Sequence, residues 1–277
     1  DLGLVGDVLQ TIQALLPMLE TKSNAAFLED CLVYYRKTRK ELDSHARGVA
    51  GEQPIYPEYL ATVVSELATD DAIFTCDVGS PTVWAARYLK MTKERRLLGS
   101  FNHGSMANAM PQAIGAQIQF PNRQVISLSG DGGFTMMMGD LLTITQHNLP
   151  VKVVIFNNGI LGFVAMEMKV SGFPLYGVDM KNPNFAKMAE AIGILGIRVE
   201  DPAEVKPAIK KALEQNGPVL LDVLVNPSEL SLPPKIELNQ AWGFSMYMLK
   251  ETLSGHGDEV VQTIQTNFLN KLKKNKK

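Results

Sequence analysis

The chain has 277 residues, 45% of them hydrophobic and 20% charged, and a formal net charge of −2. That composition gives a globular protein with room for a sizeable core, and it excludes a disordered or a membrane-spanning chain. The charge is uneven: the last seven residues, KLKKNKK, carry five lysines, and the remainder holds 22 basic against 29 acidic residues, which excludes a broad nucleic-acid-binding face.

The opening DLGLVGDVLQ has no initiator Met, basic n-region or apolar h-region, so the chain reads as the C-terminal portion of a longer protein. Apolar spacing predicts a helix in DVLQTIQALLPMLE and a more polar one in NAAFLEDCLVYYRKTRKELDSHA; RGVAGEQPIYP then gathers Gly and Pro into a linker. Cys31 and Cys76 stand far apart and match no zinc spacing, which fits a reducing cytosol and predicts two core thiols. From about residue 50 to 228 the pattern alternates. Helix PEYLATVVSELA precedes strand AIFTCDVG, helix PTVWAARYL precedes RLLGS, and helix ANAMPQAIGAQIQ precedes QVISLSGDGG. Helix FTMMMGDLLTITQHN leads to VKVVIFNNG, then NFAKMAEAIG to IRVE and AEVKPAIKKALEQNG to PVLLDVLVN. Continuous apolar strands alternating with helices predict an α/β fold, a doubly wound parallel sheet with helices on both faces.

A C-terminal amphipathic helix is predicted in DEVVQTIQTNFLNKLKKNKK. Val260, Val261, Ile264, Phe268, Leu269 and Leu272 share one face, with Glu259, Thr263, Asn270, Lys273 and Lys274 on the others. It has too few consecutive apolar residues to span a bilayer. It either lies in the interface with its lysines on anionic head groups or packs on its own subunit.

In such sheets ligands bind beyond the carboxyl ends of the strands. Four polar, glycine-rich turns fall there: CDVGS, GSFNHGSM, SGDGG and FNNGILGF. Neither a Walker A sequence nor GxGxxG is present. Gly130-Asp131-Gly132-Gly133 puts a carboxylate beside bare amides at a helix N-terminus, where an anion is favoured. Anion and carboxylate repel unless a cation separates them, and Mg²⁺, which bridges carboxylates to phosphates, meets that need. Asn158 offers an amide oxygen nearby. Taken singly, Asp-Gly and Asn-Asn turns are ordinary ways to end strands.

Together, GDG followed just under thirty residues later by NN resembles the thiamin diphosphate signature. The resemblance implies that Asp131, Asn158 and the carbonyl of Ile160 hold Mg²⁺ against the cofactor's diphosphate. TCDVGSPTVWAARYLKM, GSFNHGSMANAMPQAIGAQ, GDGGF, VVIFNNGILGFVAMEMK and GFSMYML are similar to the pyruvate oxidase branch, and within it to the bacterial pyruvate:quinone oxidoreductases. That likeness implies cofactor contacts at Gly104, Ser105, Met106, Gly132, Gly133, Asn157 and Asn158, and along Gly159, Ile160, Leu161, Gly162, Phe163 and Val164, with Met106 as an apolar wedge under the thiazolium. It implies that Phe163 and Glu167 face substrate or flavin and that Val78 lines the thiazolium side. His103, in FNHGSM, is a second-tier candidate near the cofactor.

The likeness further divides the chain into the end of an FAD-binding domain (1–32), the thiamin diphosphate domain (33–228) and a C-terminal membrane-binding region (229–277). It implies FAD held mostly by an upstream domain, pyruvate as substrate, a membrane quinone as acceptor, a homotetramer, and peripheral attachment to the cytoplasmic face of the membrane through anionic lipid. Three alternatives stand beside it: an oxygen- and phosphate-dependent oxidase, an acetolactate synthase, or a non-catalytic fragment. Against the synthase, ILGFVAMEMK lacks the tryptophan that this group usually carries after its NN motif.

Overall fold

The computed structural model describes residues 3–46, 54–92, 94–229 and 238–269. The chain divides into two compact units at Glu41. In the first, α1 (Val8–Leu15) starts where the Asp7 carboxylate accepts a 2.9 Å hydrogen bond from the Gln10 amide, and a 3₁₀ turn at Leu16–Met18 ends it at Pro17. The longer α2 (Ala26–His45) follows and crosses the division.

The second unit is a six-stranded, wholly parallel sheet. Its strands are β1 (Ile73–Cys76), β2 (Arg96–Gly99), β3 (Val125–Gly130), β4 (Lys152–Asn157), β5 (Leu195–Val199) and β6 (Val219–Leu224), in the order β2-β1-β3-β4-β6-β5. The helices are α3 (Pro57–Leu67), α4 (Ser80–Tyr88), α5 (Ala109–Gln119), α6 (Asp131–Met137), α7 (Leu141–Gln146), α8 (Gly162–Val170), α9 (Phe185–Ala191), α10 (Pro202–Glu214), α11 (Leu238–Leu253) and α12 (Gly257–Ile264). Successive strand residues point to opposite faces, and in the four inner strands both sets are buried and mainly apolar, which is why those strands read as nearly unbroken runs. Phe74, Leu128, Val154 and Phe156 pack with Leu60 and Val64 of α3, Trp84 of α4 and Ile209 of α10. Ile73, Val125, Val153 and Ile155 pack on the other side with Met110 of α5, Phe134 of α6, Ile144 of α7 and Phe185 of α9. The doubly wound reading of the sequence therefore describes the fold.

Three local readings change. The helix expected over residues 134–148 begins at Asp131 and breaks into α6 and α7 around a 3₁₀ turn at Met138–Asp140, where Gly139 and Asp140 are weak helix formers. Periodicity does not place helices α8 and α11, whose apolar residues lie on too many sides to show a stripe. Cys76 is buried, but Cys31 is exposed on α2 and is no core thiol.

At the C-terminus the expected helix begins at Gly257, but its buried side differs from the expected one. Val260 is buried with Thr263, while Val261 is 53% exposed. After Ile264 the helix widens into a π turn, Gln265–Leu269, and Asn267 docks by donating to the carbonyls of Ser228 (2.7 Å) and Thr263 (3.0 Å). Of the rest of the expected tail helix, the side chains of Phe268 and Leu269 and all of residues 270–277, lysine tip included, lie outside the described residues. Among the described residues no helix is long and apolar enough to cross a membrane.

Close packing gives one stability expectation. A Cβ on Gly196 of β5 would strike the Ala186 carbonyl of α9. Gly196→Ala is expected to push α9 off the sheet and cost about 1–3 kcal/mol, read as a lowered thermal midpoint.

Candidate active site

The chain leaves β1 toward β2 on one side and returns to β3 on the other, so the strand order reverses between β1 and β3. Helix N-termini diverge at such a switch point and open a crevice. The cleft found there is lined by Val78, Gly104, Met106, Asp131, Gly132, Gly133, Asn158, Ile160, Leu161, Gly162, Phe163 and Val164. Twelve positions singled out in the sequence are thus brought to one place by four strand ends. Asp77, Pro81, Trp84 and Asn226 also line it.

Asp131 opens α6 and is 3% exposed. Its Oδ1 accepts from the Gly132 amide (2.9 Å), and its Oδ2 accepts from the Gly159 amide and from Asn182 Nδ2, both at 2.7 Å. Burial raises its carboxyl above the ordinary value, and these donors oppose the rise. The β3–β4 register pairs Gly130 with Phe156, so Asp131 and Asn157 leave the sheet at the same level. The turn that follows needs Gly159, at φ +69°, where a side chain would be strained. Asn158 Oδ1 accepts from the Ile160 amide at 3.1 Å. A short antiparallel bridge holds this turn through Leu161 N–H to the Val178 carbonyl (2.9 Å) and Met180 N–H to the Gly159 carbonyl (2.8 Å); the Ile160 carbonyl takes no part in that bridge.

The glycines are bare because something must pass close to them. A Cβ on Gly132 would lie 2.8 Å from Leu161 Cδ2 and 3.3 Å from Met106 Cε, and one on Gly162 would lie 2.7 Å from Ser80 Oγ. Met106 therefore stands over the GDG turn, carried by a loop whose next residue, Ala107, adopts a left-handed φ of +63°. Such strain in a non-glycine residue persists only where surrounding contacts fix it. Ser105 does not line the cleft; its carbonyl accepts from Val78 N–H (3.3 Å) and from Asn108 Nδ2 (2.6 Å), which ties the Met106 loop to the β1 turn. Asn157 turns away from the cleft, toward Asp222. Glu167 lies one helical turn beyond Phe163, exposed on α8 and outside the cleft lining, and His103 is exposed in its loop.

Two residues that carry the geometry were missed. Asn182 sits in MKNPNF, which reads as a connection before α9. Asp77 lies inside the CDVG stretch, where the resemblance drew attention to Val78. Asp77 is 2% exposed; its Oδ1 accepts from the Ala109 amide at the start of α5 (2.9 Å), and its Oδ2 faces Gly133 without a hydrogen-bond partner among the described residues. Burial pushes this carboxyl up to about 6, against the opposing Ala109 N–H. An acid whose folded value is raised favours the protonated fold, so its contribution is fully present below the unfolded value and is lost as pH rises through about 6. Asp77→Asn is therefore expected to raise the thermal midpoint of cofactor-free protein at pH 7 by the equivalent of up to about 3 kcal/mol. That advantage should vanish by about pH 4, a comparison that melting curves across this range check directly.

Among the described residues no three His, Cys, Asp or Glu side chains cluster to hold a metal by themselves. An ion at Asp131 would draw on amide and carbonyl oxygens and on phosphate, a set of hard ligands suited to Mg²⁺. The buried carboxylate, the Asn158 amide oxygen, the unbridged Ile160 carbonyl and the bare glycines fit a magnesium diphosphate.

A family model described as the thiamine pyrophosphate enzyme C-terminal binding domain matches residues 77–223. The putative thiamine pyrophosphate-containing protein YdaP of Bacillus subtilis is 37% identical over 248 residues, covering 90% of this chain and 43% of that protein. The acetolactate synthase large subunit of Porphyra purpurea is 34% identical over 235 residues, covering 83% of this chain and 39% of its own. An acetolactate synthase of Mycobacterium bovis is 34% identical over 234 residues, with coverages of 81% and 38%. The chain thus spans about two fifths of the length of these relatives.

Proposed function

Because the chain belongs to the thiamine pyrophosphate enzymes, we propose that it supplies the magnesium- and diphosphate-binding half of an enzyme that decarboxylates a 2-keto acid, with pyruvate as the donor. The observation that carries this is the buried Asp131, held by Gly159 and Asn182 beside Asn158 and Ile160 at the crevice between β1 and β3. Asp131, Asn158 Oδ1 and the Ile160 carbonyl would hold Mg²⁺; the bare Gly132, Gly133 and Gly162 would leave room for the diphosphate, while Gly159, whose N–H and carbonyl are taken by Asp131 and Met180, shapes the turn and does not line the cleft. When bound, the cofactor supplies the carbon nucleophile and electron sink that decarboxylation needs. The chain's own part is orientation and exclusion of water: Met106 and Leu161 set an apolar wall beside the GDG turn, and Trp84 and Phe156 close the cleft beneath it.

Two fates of the remaining two-carbon unit have support. Transfer to a second keto acid, the acetolactate synthase reaction, is supported by the names of the relatives, which share about a third of their residues with this chain. Oxidation to acetate is supported by the stretch Ile160–Lys169, which has no tryptophan where the synthases usually have one. In that reading the full protein carries FAD in an upstream domain, reduces a membrane quinone, assembles as a homotetramer, and attaches to anionic lipid at the cytoplasmic face through its C-terminal helix. An acceptor of oxygen and phosphate would instead yield acetyl phosphate.

The deciding experiment supplies pyruvate, Mg²⁺, thiamin diphosphate and FAD to the full-length protein and identifies the products. Acetolactate formed without an electron acceptor establishes the synthase. Acetate formed only with a quinone analogue, and more of it with anionic vesicles, establishes the quinone reductase. No CO₂ release under either condition overturns the proposal.

A further inference from the structure

Asp222 lies in the middle of β6, fully buried within an otherwise apolar strand, VLLDVL. A charge at such a place is costly unless paired and hydrogen-bonded, and an apolar residue of similar size would serve the core as well or better. Asp222 is paired: Oδ2 accepts from Arg198 Nη1 on β5 (2.7 Å) and from the Phe185 amide (3.1 Å), and Oδ1 accepts from Asn157 Nδ2 (2.8 Å). We infer that Asp222, Asn157 and Asn182 form a polar relay that positions the Asp131 carboxylate for its metal, which makes them positioning residues of the site.

The argument is one of donor and acceptor polarity. A carboxylate accepts and cannot donate, so Asp222 compels Asn157 to turn its NH₂ inward. The Asn157 Oδ1 is thereby presented on the opposite side, where it accepts from Asn182 Nδ2 at 2.9 Å. That bond fixes the second amide in turn, and the same Nδ2 donates to Asp131 Oδ2 at 2.7 Å. A flipped amide at Asn182 would set oxygen against oxygen at both neighbours. The chain of bonds runs from β5 through β6 and β4 to the end of β3, three strand spacings or about 14 Å. The first Asn of the NN pair therefore acts within the protein, while Asn158 faces the cleft.

The inference rests on the magnesium diphosphate reading of the cleft. It is tested in full-length protein by titrating Mg²⁺ at fixed thiamin diphosphate and following the fluorescence of Trp84, which lines the cleft, alongside melting curves of the cofactor-free protein. Asn182→Ala is expected to raise the apparent Kd for Mg²⁺ about 10–100-fold, as loss of an outer-shell partner does, with little change in cofactor-free melting. Asp222→Asn should weaken binding in the same way, and the double variant should lose no more than Asn182→Ala alone, because the two act through one path. Should Asp222→Asn fail to fold, Asn157→Ser with Asn182→Ala completes the same cycle. Affinity of Asn182→Ala within twofold of the unaltered protein, or strictly additive losses, overturns the relay while leaving the cofactor reading intact. No binding by the unaltered protein overturns both.

Discussion

Replacing Asp131 with Asn is expected to weaken magnesium-dependent binding of thiamin diphosphate by at least about 100-fold, the upper end of what loss of an outer-shell partner costs a metal site. The isosteric amide keeps one accepting oxygen in place of two, removes the charge that an ion requires, and sets its NH₂ either against the Gly132 amide or against the Gly159 amide and Asn182 Nδ2. Stability of the cofactor-free protein should fall little, since the carboxylate is itself costly to bury. Fluorescence reports the difference well: the chain has two tryptophans, Trp84 in the cleft wall at 3% exposure and Trp242 at 71%. Binding should quench the first in the unaltered protein and leave it unchanged in the variant. Because burial raises the Asp131 carboxyl, Mg²⁺ must displace a proton as the pH falls, and apparent affinity should weaken toward acid even in the unaltered protein. Affinity unchanged in Asp131→Asn would remove the metal from this site.

Gly133→Ala is expected to damage both fold and binding. The added Cβ would strike the Asp77 carboxylate and come within 3.2 Å of the Ala107 backbone nitrogen. Neither can move freely: Asp77 is bonded to the start of α5, and Ala107 is already strained at φ +63°. The expected cost is about 1–3 kcal/mol of stability, with cofactor affinity reduced because the Met106 loop must shift. Gly132→Ala is the contrasting case. Its new methyl meets the flexible ends of Leu161, Met106 and Met180, which can swing aside, so its melting temperature should fall less. Asp77→Ser in the Gly133→Ala background removes the obstacle and should restore part of the lost melting temperature. Equal melting of the two glycine variants would mean that the Asp77–Gly133 contact carries no strain.

Much of the architecture was legible because the four inner β strands are buried on both faces and the flanking helices on one. Such runs differ in period and in length, and the glycine-rich turns between them mark the strand ends where the cleft forms. That Asp131, Asn158 and the bare glycines meet at one cleft was legible too, since GDG and NN, each ordinary alone, stand together at the ends of consecutive strands. Asn182 and Asp222 were not. Asn182 lies 51 residues from Asp131 in the chain, in a stretch that reads as a turn, and its role exists only once the bridge to Ile160 folds it back. Asp222 looks like a break in an apolar strand until Arg198 and Asn157 are seen on its oxygens. At the C-terminus periodicity assigned the faces by hydropathy alone, whereas the fold buries Thr263 and leaves Val261 out, because polar groups there find partners in the loop after β6.

The parallel sheet also sorts the connections by how much change they tolerate. The candidate ligand-facing groups cluster where strands pass into helices, at Asp77–Gly79, Gly104–Met106, Gly130–Gly133 and Asn158–Val164, and an extra residue at a strand end would displace its neighbours by about 3.3 Å and reverse their direction. The helix-to-strand turns lie at the opposite edge. There, at the exposed Pro121–Asn122 tip, added length costs only the slow growth of loop-closure entropy. A reporter peptide or a fused domain inserted at that tip would be carried by a protein whose chemistry is displaced from it by the full height of the sheet.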